Sequence, residues 1–197
     1  MRIGKIVPVT EAEGPGRRTA IWFQGCSLHC EGCCNPEFLD SGGGLEMSVD
    51  HIFDFIPIRE VEGVTLLGGE PLEQYADLRT LICRIREAGL TNMLFSGRTW
   101  AALNADPKTK EIITMCDLIV AGPFQKGSAP DPRRWIGSTN QTIHFQTQQY
   151  QELAKNWELN LYDVEVHISN GELQFHGAPE LIELLMEPRS AIKKGDA

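Results

Sequence analysis

The sequence predicts an α/β fold built on a parallel sheet in a single domain, and three observations carry that prediction. Short apolar runs alternate with stretches of helical period. Each run closes on a glycine- or cysteine-rich turn. The 197 residues, 42% hydrophobic and 23% charged, suit one domain with a sizeable core. Parallel strands need helical crossovers, and such sheets bind ligands at the carboxyl ends of their strands.

The first strand is expected at residues 17 to 24, Arg-Arg-Thr-Ala-Ile-Trp-Phe-Gln, with a buried apolar end, and Gly25 then turns the chain into a cysteine loop. Gly42-Gly43-Gly44 reads as a flexible loop. Val61 to Leu67 form a second strand, closed by Gly68-Gly69-Glu70-Pro71. Leu78, Leu81, Ile82, Ile85 and Ala88 then share one face of a helix that Gly89 ends. Asn92 to Phe95 are a third strand, residues 109 to 116 carry a helical pattern with Ile112, Ile113 and Cys116 inward, and Asp117 to Ala121 are a fourth strand. Prolines at 123, 130 and 132 predict loop over 122 to 140. A strand at 141 to 146, a helix at 148 to 159, a hairpin at 163 to 176 turned at Asn170-Gly171, and a helix at 179 to 186 complete the expected order.

Charge and hydropathy narrow the function classes. A net charge of -9 and a pI near 5.0 argue against a nucleic-acid binder, which needs a basic face for phosphates. No apolar run approaches membrane-spanning length, and the first residues lack a signal-peptide cleavage site, so a cytoplasmic protein is expected. The pairs Arg17-Arg18 and Arg133-Arg134 are expected in solvent, with an acidic partner or a carboxylate as the alternative.

Four of the six cysteines fall within residues 26 to 34, a clustering that suits ligands in a reducing compartment rather than a disulfide framework. Cys26, Cys30 and Cys33, spaced CxxxCxxC, supply thiolates for three irons of a four-iron cluster and leave the fourth open. Closed zinc sites take four ligands and electron-transfer clusters usually take four cysteines, so three point to a cluster that binds something else. After the second strand, Gly68 and Gly69 expose backbone beside the Glu70 carboxylate, a combination able to hold an ammonium group. Cys83 and Cys116 lie in helical patterns and read as core or helix-surface residues. His29 reads as a loop residue, with cluster tuning as the alternative, while His51, His144, His167 and His176 show no ligand spacing.

With CxxxCxxC after the first strand and Gly68-Gly69-Glu70 after the second, the chain resembles the radical S-adenosylmethionine (SAM) superfamily. That resemblance implies a partial (β/α) barrel in which the SAM amine and carboxylate chelate the open iron. One electron then breaks a carbon-sulfur bond, and the resulting 5′-deoxyadenosyl radical takes hydrogen from a substrate. It implies Cys26, Cys30 and Cys33 as cluster ligands, Cys34 as a non-ligand, and Gly68, Gly69 and Glu70 as contacts to the methionyl end of SAM.

Glu13-Gly14-Pro15-Gly16-x-Arg18 and Phe23-Gln24-Gly25-Cys26 are similar to the start of the glycyl-radical-enzyme activating enzymes. Cys33-x-Asn35-Pro36, Ser96-Gly97-x-Thr99-Trp100, Ala121-Gly122-Pro123-Phe124 and Arg134-Trp135-x-Gly137-Ser138-x-Asn140-Gln141 resemble the branch that activates the anaerobic (class III) ribonucleotide reductase. The likeness covers roughly residues 1 to 146, with 147 to 197 as a C-terminal extension. It implies one [4Fe-4S] cluster, a backbone glycine on a separate glycyl radical enzyme as substrate, and a flavodoxin or ferredoxin as reductant. It also places Ser96, Gly97 and Thr99 near the SAM ribose or methionyl group, and Ser138, Asn140 and Gln141 near the mouth of the site.

Two departures are visible. Ala121 stands where many relatives carry Asp, and Arg98 replaces an aromatic residue, so it either reaches the SAM carboxylate or solvent. A radical SAM enzyme acting on a small molecule or peptide, such as a carboxy-deazaguanine synthase, shares GGEPL but has an aromatic residue where this chain has Gly32. A non-catalytic iron-sulfur or zinc protein is the remaining reading.

Overall fold

The computed structural model describes residues 1–129, 131, 133–157, 164–169, 172–177, 182, 185 and 186. In chain order the strands are β1 (Arg2–Thr10), β2 (Arg18–Phe23), β3 (Leu45–Glu46), β4 (Gly63–Gly68), β5 (Thr91–Ser96), β6 (Leu118–Ala121), β7 (Thr142–Phe145), β8 (Val164–Ser169) and β9 (Glu172–Gly177). The helices are α1 (Val49–Phe53), α2 (Tyr75–Glu87), α3 (Trp100–Ala105), α4 (Pro107–Thr114) and α5 (Gln151–Ala154).

One sheet runs in the order β3-β1-β2-β4-β5-β6-β7 and does not close on itself; β8 and β9 form a separate two-stranded sheet. Pairing is parallel from β2 through β4 and β5 to β6, as the alternation of strands and helices predicts. Antiparallel strands flank that centre, with β1 on β2, β3 on β1 and β7 on β6, so the sheet is mixed.

β1 is absent from the sequence expectation because Gly4 and Pro8 interrupt its apolar pattern. Its outer neighbour β3 pairs only Arg2 and Ile3, so Pro8 lies on a free edge where a missing N–H costs no ladder bond. The register with β2 also shifts between Val7 and Thr10, around that proline.

The central strands are buried almost throughout, and alternating side chains divide the core between the two faces of the sheet. Ile21, Phe23, Val64, Leu66, Leu94 and Ile119 pack against Leu78, Leu81, Ile82 and Ile85 of α2, Leu103 of α3, and Ile112 and Ile113 of α4. Burying each such side chain stabilises the fold by roughly 1.5–3 kcal/mol. On the opposite face, Trp22 and Leu67 pack with Phe38, while Met93, Leu118 and Val120 pack with Ile136, Tyr150 and Trp157. The expected face of α2 is the buried one, and Gly89, at φ 78°, ends that helix in the left-handed region. Cys116 is fully buried and Cys83 half-buried.

Arg18 overturns the expectation of a solvated arginine. Its side chain has no exposed surface and donates to Thr65 Oγ1 at 2.8 Å, Tyr150 Oη at 2.9 Å, Thr91 Oγ1 at 3.1 Å and the Val64 carbonyl at 2.9 Å. Glu62 stands 3.8 Å away as the counter-charge. The inward position follows from strand alternation, and the donors of a guanidinium match these acceptors. Removing one member of such a buried set costs about 3–5 kcal/mol. Arg18 is therefore unavailable for docking a partner. Arg133 is also engaged, with Nε 2.8 Å from Asp131 Oδ1.

The expected helix at 148 to 159 is shorter. A 3-10 turn at Gln148–Tyr150 leads into α5, turns follow at 155 and 156, and Trp157 is buried in 3-10 geometry; residues 158 and 159 lie outside the described residues. The hairpin forms with Ser169 opposite Glu172, its turn at 170 and 171 lying outside the described residues. Of the helix expected at 179 to 186, residues 182, 185 and 186 are described and helical; the others lie outside. Among the described residues no helix is long and apolar enough to cross a membrane.

Candidate functional site

Three loops meet at the carboxyl ends of β2, β4 and β5. The first begins at Gly25, whose φ of 98° redirects the chain out of β2. Gly25 N–H donates to the Phe38 carbonyl at 2.8 Å and Cys26 N–H to the Leu39 carbonyl at 3.1 Å, closing the loop that carries the cysteines. Buried Gln24 ties the far side by donating to the carbonyls of Glu37 at 3.1 Å and Asp40 at 2.7 Å.

Cys26, Cys30 and Cys33 are half-buried and Cys34 is exposed. Hydrogen bonding with the neighbouring Cys34 thiol lowers the Cys33 pKa to about 6, and the same bond pushes Cys34 up. Burial raises Cys26, opposed by N–H bonds from Leu28 and His29. Cys33 therefore carries the thiolate character that a metal ligand needs. Among the described residues no three His, Cys, Asp or Glu are grouped to hold a single metal ion. His29 is an exposed loop residue at φ 44°.

The second loop explains the paired glycines sterically. A Cβ on Gly69 would lie 2.2 Å from the Gly25 carbonyl oxygen, and one on Gly68 would lie 2.7 Å from Phe23 N. Bare backbone lets Gly69 N–H reach Phe23 O at 2.8 Å and Glu70 N–H reach Gly25 O at 2.9 Å. Gly68 and Gly69 thus seat the second loop directly on the root of the cysteine loop. Ser27 adds a link, its N–H and hydroxyl donating to Glu73 Oε1 at 2.9 and 2.6 Å.

Glu70 joins the third loop. Its carboxylate, 1% exposed, accepts from Leu72 N–H at 3.1 Å, Gly97 N–H at 2.9 Å and the Ser96 hydroxyl at 3.0 Å. Burial raises its pKa to about 7, against the pull of these bonds. A Cβ on Gly97 would lie 2.4 Å from Leu28 Cδ1 of the cysteine loop, so that exposed side chain would have to turn aside. Glu70, Ser96 and Gly97 therefore stand together. Thr99 is employed locally as the N-cap of α3, accepting from Ala102 N–H at 3.2 Å. That cap was the available signal for α3, a helix absent from the sequence expectation. Arg98 lies 4.0 Å from Asp106.

Ser138, Asn140 and Gln141 bond into their own loop. Gln141 Oε1 accepts from Gly137 and Ser138 N–H, Asn140 accepts from Ser138, and Asn140 and Gln141 donate to the carbonyls of Pro123 and Gly122. Within that loop Trp135 has φ 62°, a conformation that costs a bulky residue about 1–3 kcal/mol. Its buried indole N–H finds no acceptor among the described residues, a further cost of about 1–3 kcal/mol.

Two cavities border these loops. One of about 330 Å³ is lined by Cys26, Ser27, His29, Leu39, Asp40, Ser41 and Glu73; another of about 460 Å³ lies against Thr99, Trp100, Gly122 and Asn140. Trp100 stacks on His144 with ring centroids 3.7 Å apart, a contact without a sequence signal because the residues come from separate elements.

A family model described as "4Fe-4S single cluster domain" matches residues 12–144. The anaerobic ribonucleoside-triphosphate reductase-activating protein of Pasteurella multocida (strain Pm70) is 30% identical over 150 residues, covering 72% of this chain and 95% of the relative. The protein of that name from Escherichia coli (strain K12) is 28% identical over 153 residues, covering 73% and 98%. The pyruvate formate-lyase-activating enzyme of Clostridium pasteurianum is 36% identical over 95 residues, but these span 45% of this chain and 40% of that enzyme.

Proposed function

Because the chain belongs to the 4Fe-4S single cluster domain family and to the radical SAM activases of anaerobic ribonucleotide reductase, we propose that it installs a glycyl radical in such a reductase. The observation that carries the reading is the junction at Glu70, where one buried carboxylate binds the loops after β4 and β5 beside the root of the cysteine loop.

The donor set fits a [4Fe-4S] cluster with an open iron. Cys26, Cys30 and Cys33 share one closed loop in which all three are half-buried, and the pKa of Cys33 is lowered. Held by Cys26, Cys30 and Cys33, such a cluster would supply the single electron needed for reductive cleavage of a SAM carbon-sulfur bond, and so the radical chemistry needed to remove a glycine α-hydrogen. The chain's own part is positioning and exclusion of water. Glu70, whose burial favours the proton until a cation pairs with it, receives the methionyl ammonium as the carboxylate without moving, because Leu72, Ser96 and Gly97 already fix its oxygens. Gly68 and Gly69 hold that carboxylate at the cysteine loop, and Gly97 leaves the approach free of a side chain. Thr99 acts one step back, by starting α3.

The open sheet is read as the partial (β/α) barrel of this superfamily, within one domain over residues 1–197, its parallel core spanning about 1–146 and an extension following. The proposed setting is a reducing cytoplasm, with a flavodoxin or ferredoxin as electron donor and no role for nucleic acid or membrane. The test is anaerobic reconstitution with iron and sulfide, reduction, and addition of SAM. The reading requires 5′-deoxyadenosine, and a fully loaded, reducible protein that forms none would sink it.

A further inference from the structure

We infer that the β8–β9 hairpin is an autoinhibitory latch, docked on the turn between β1 and β2 by two carboxylates and displaced when the partner's glycine segment enters; its displacement by that segment rests on the activase reading. Both strands lie beyond residue 144, where the family match ends. The hairpin therefore stands outside the matched part of the chain, where it can control the shared chemistry without taking part in it.

Among the described residues the attachment is polar. The Glu165 carboxylate accepts from the Thr10 hydroxyl and, at 3.1 Å, from Glu11 N–H, while Gly177 N–H donates to Glu13 Oε1 at 3.2 Å. Val166, Ile168 and Leu173 are 45%, 75% and 59% exposed, and no described residue of β8 or β9 joins the core clusters. Ile168 stands opposite Leu173 and two residues from Val166, so the three share one face of the ribbon, turned to water. A lone two-stranded hairpin is marginally stable in water, and an element held by few bonds opens locally while the rest of the fold persists.

The junction borders the candidate site. The charges acting on Glu13 are Lys5 and Glu165, and the Lys5 ammonium lies 5.4 Å over the Trp22 ring. Trp22 packs with Phe38 and Leu67 on the sheet face opposite the helices, and the Phe38 carbonyl closes the cysteine loop through Gly25 N–H. Glu13 also acts on the Cys34 thiol of that loop. His167 faces Glu165 at 3.0 Å, so two carboxylates meet one histidine and one lysine at the contact. Such a contact is exchangeable, because each carboxylate regains water when the hairpin leaves. Its departure opens the edge of the cysteine loop to a peptide.

Hydrogen exchange of the reconstituted holoenzyme, read by mass spectrometry, tests the latch itself. Amides of 164–169 and 172–177 should exchange at least about 100-fold faster than those of β4 and β5. E165A, which takes the acceptor from Thr10 and Glu11, should speed the hairpin about tenfold more and leave β4 and β5 unchanged, and T10V should act in the same direction. A hairpin that exchanges as slowly as β4 and β5, or variants that speed all strands equally, would overturn the inference. Gating is tested with the anaerobic ribonucleotide reductase of the same organism. If entry requires the open form, a tenfold rise in its population lowers the half-saturating reductase concentration for glycyl-radical formation about tenfold in E165A. Partner-independent 5′-deoxyadenosine formation should stay within about twofold. An unchanged or higher half-saturating concentration in E165A would overturn the gating role. Wild-type protein that makes no glycyl radical would overturn the activase reading instead, and hydrogen exchange would still decide whether the hairpin opens.

Discussion

Replacing Gly69 by Ala is the sharpest structural perturbation, because its consequence can be worked from backbone atoms alone. The added Cβ would lie 2.2 Å from Gly25 O, 2.8 Å from Gly25 C and 2.9 Å from Phe38 O, none of which can swing aside as a side chain would. The second loop must lift from the cysteine loop, which breaks the bonds from Gly69 N–H to Phe23 O and from Glu70 N–H to Gly25 O. Two such bonds are worth about 1 kcal/mol each, and the overpacking adds about 1–3 kcal/mol. The sum of about 3–5 kcal/mol corresponds to a fall in Tm of roughly 6–20 °C for a chain of this size. Thermal unfolding of metal-free G69A, followed by circular dichroism, checks the value, and calorimetry on the reconstituted protein checks SAM affinity. A G69A protein melting within about 2 °C of wild type and binding SAM normally would refute the steric argument.

Replacing Cys26, Cys30 or Cys33 singly by Ala should abolish SAM cleavage, whereas Cys34→Ala should retain four irons by iron and sulfide analysis. Loss of iron from Cys34→Ala would show that the ligand set is wrong. Arg18→Met should lower unfolding free energy by about 3–5 kcal/mol in urea titrations, because Thr65, Thr91, Tyr150 and Glu62 lose their shared donor. Glu70→Gln should weaken SAM binding roughly tenfold or more while leaving iron content unchanged, as measured by equilibrium dialysis.

Glu13 and Glu70, both raised by burial from 4.5 to about 7, hold protons that the unfolded chain releases. Their stabilising contribution is full below about pH 4.5 and is lost as pH rises through about 7, so the E13Q/E70Q double variant should show a flatter decline between those values.

The parallel centre of the sheet was legible because buried strands and amphipathic α2 write their periods directly into the chain. β1, β3, α1 and α3 were not: β3 has two residues, α1 five, and β1 carries the glycine and proline that an edge tolerates. At the site, the cysteine spacing and the Gly68-Gly69-Glu70 run were local patterns and could be read. Their physical connection could not, since Glu70 meets Ser96 and Gly97 only through the parallel register that sets β4 beside β5. Arg18 was misread for the same reason. Its charge suggests solvent, and only the converging acceptors of β4, β5 and Tyr150 make burial tolerable.

The central claim is that the site makes a radical on another protein, and electron paramagnetic resonance tests it most directly. Reconstituted, reduced activase is mixed anaerobically with SAM and the anaerobic ribonucleotide reductase of the same organism, then frozen. The account predicts a glycyl-radical signal on the reductase, with 5′-deoxyadenosine formed alongside it. Formation of 5′-deoxyadenosine with no protein radical, from a fully loaded cluster and an intact reductase, would contradict it and move the site to another substrate.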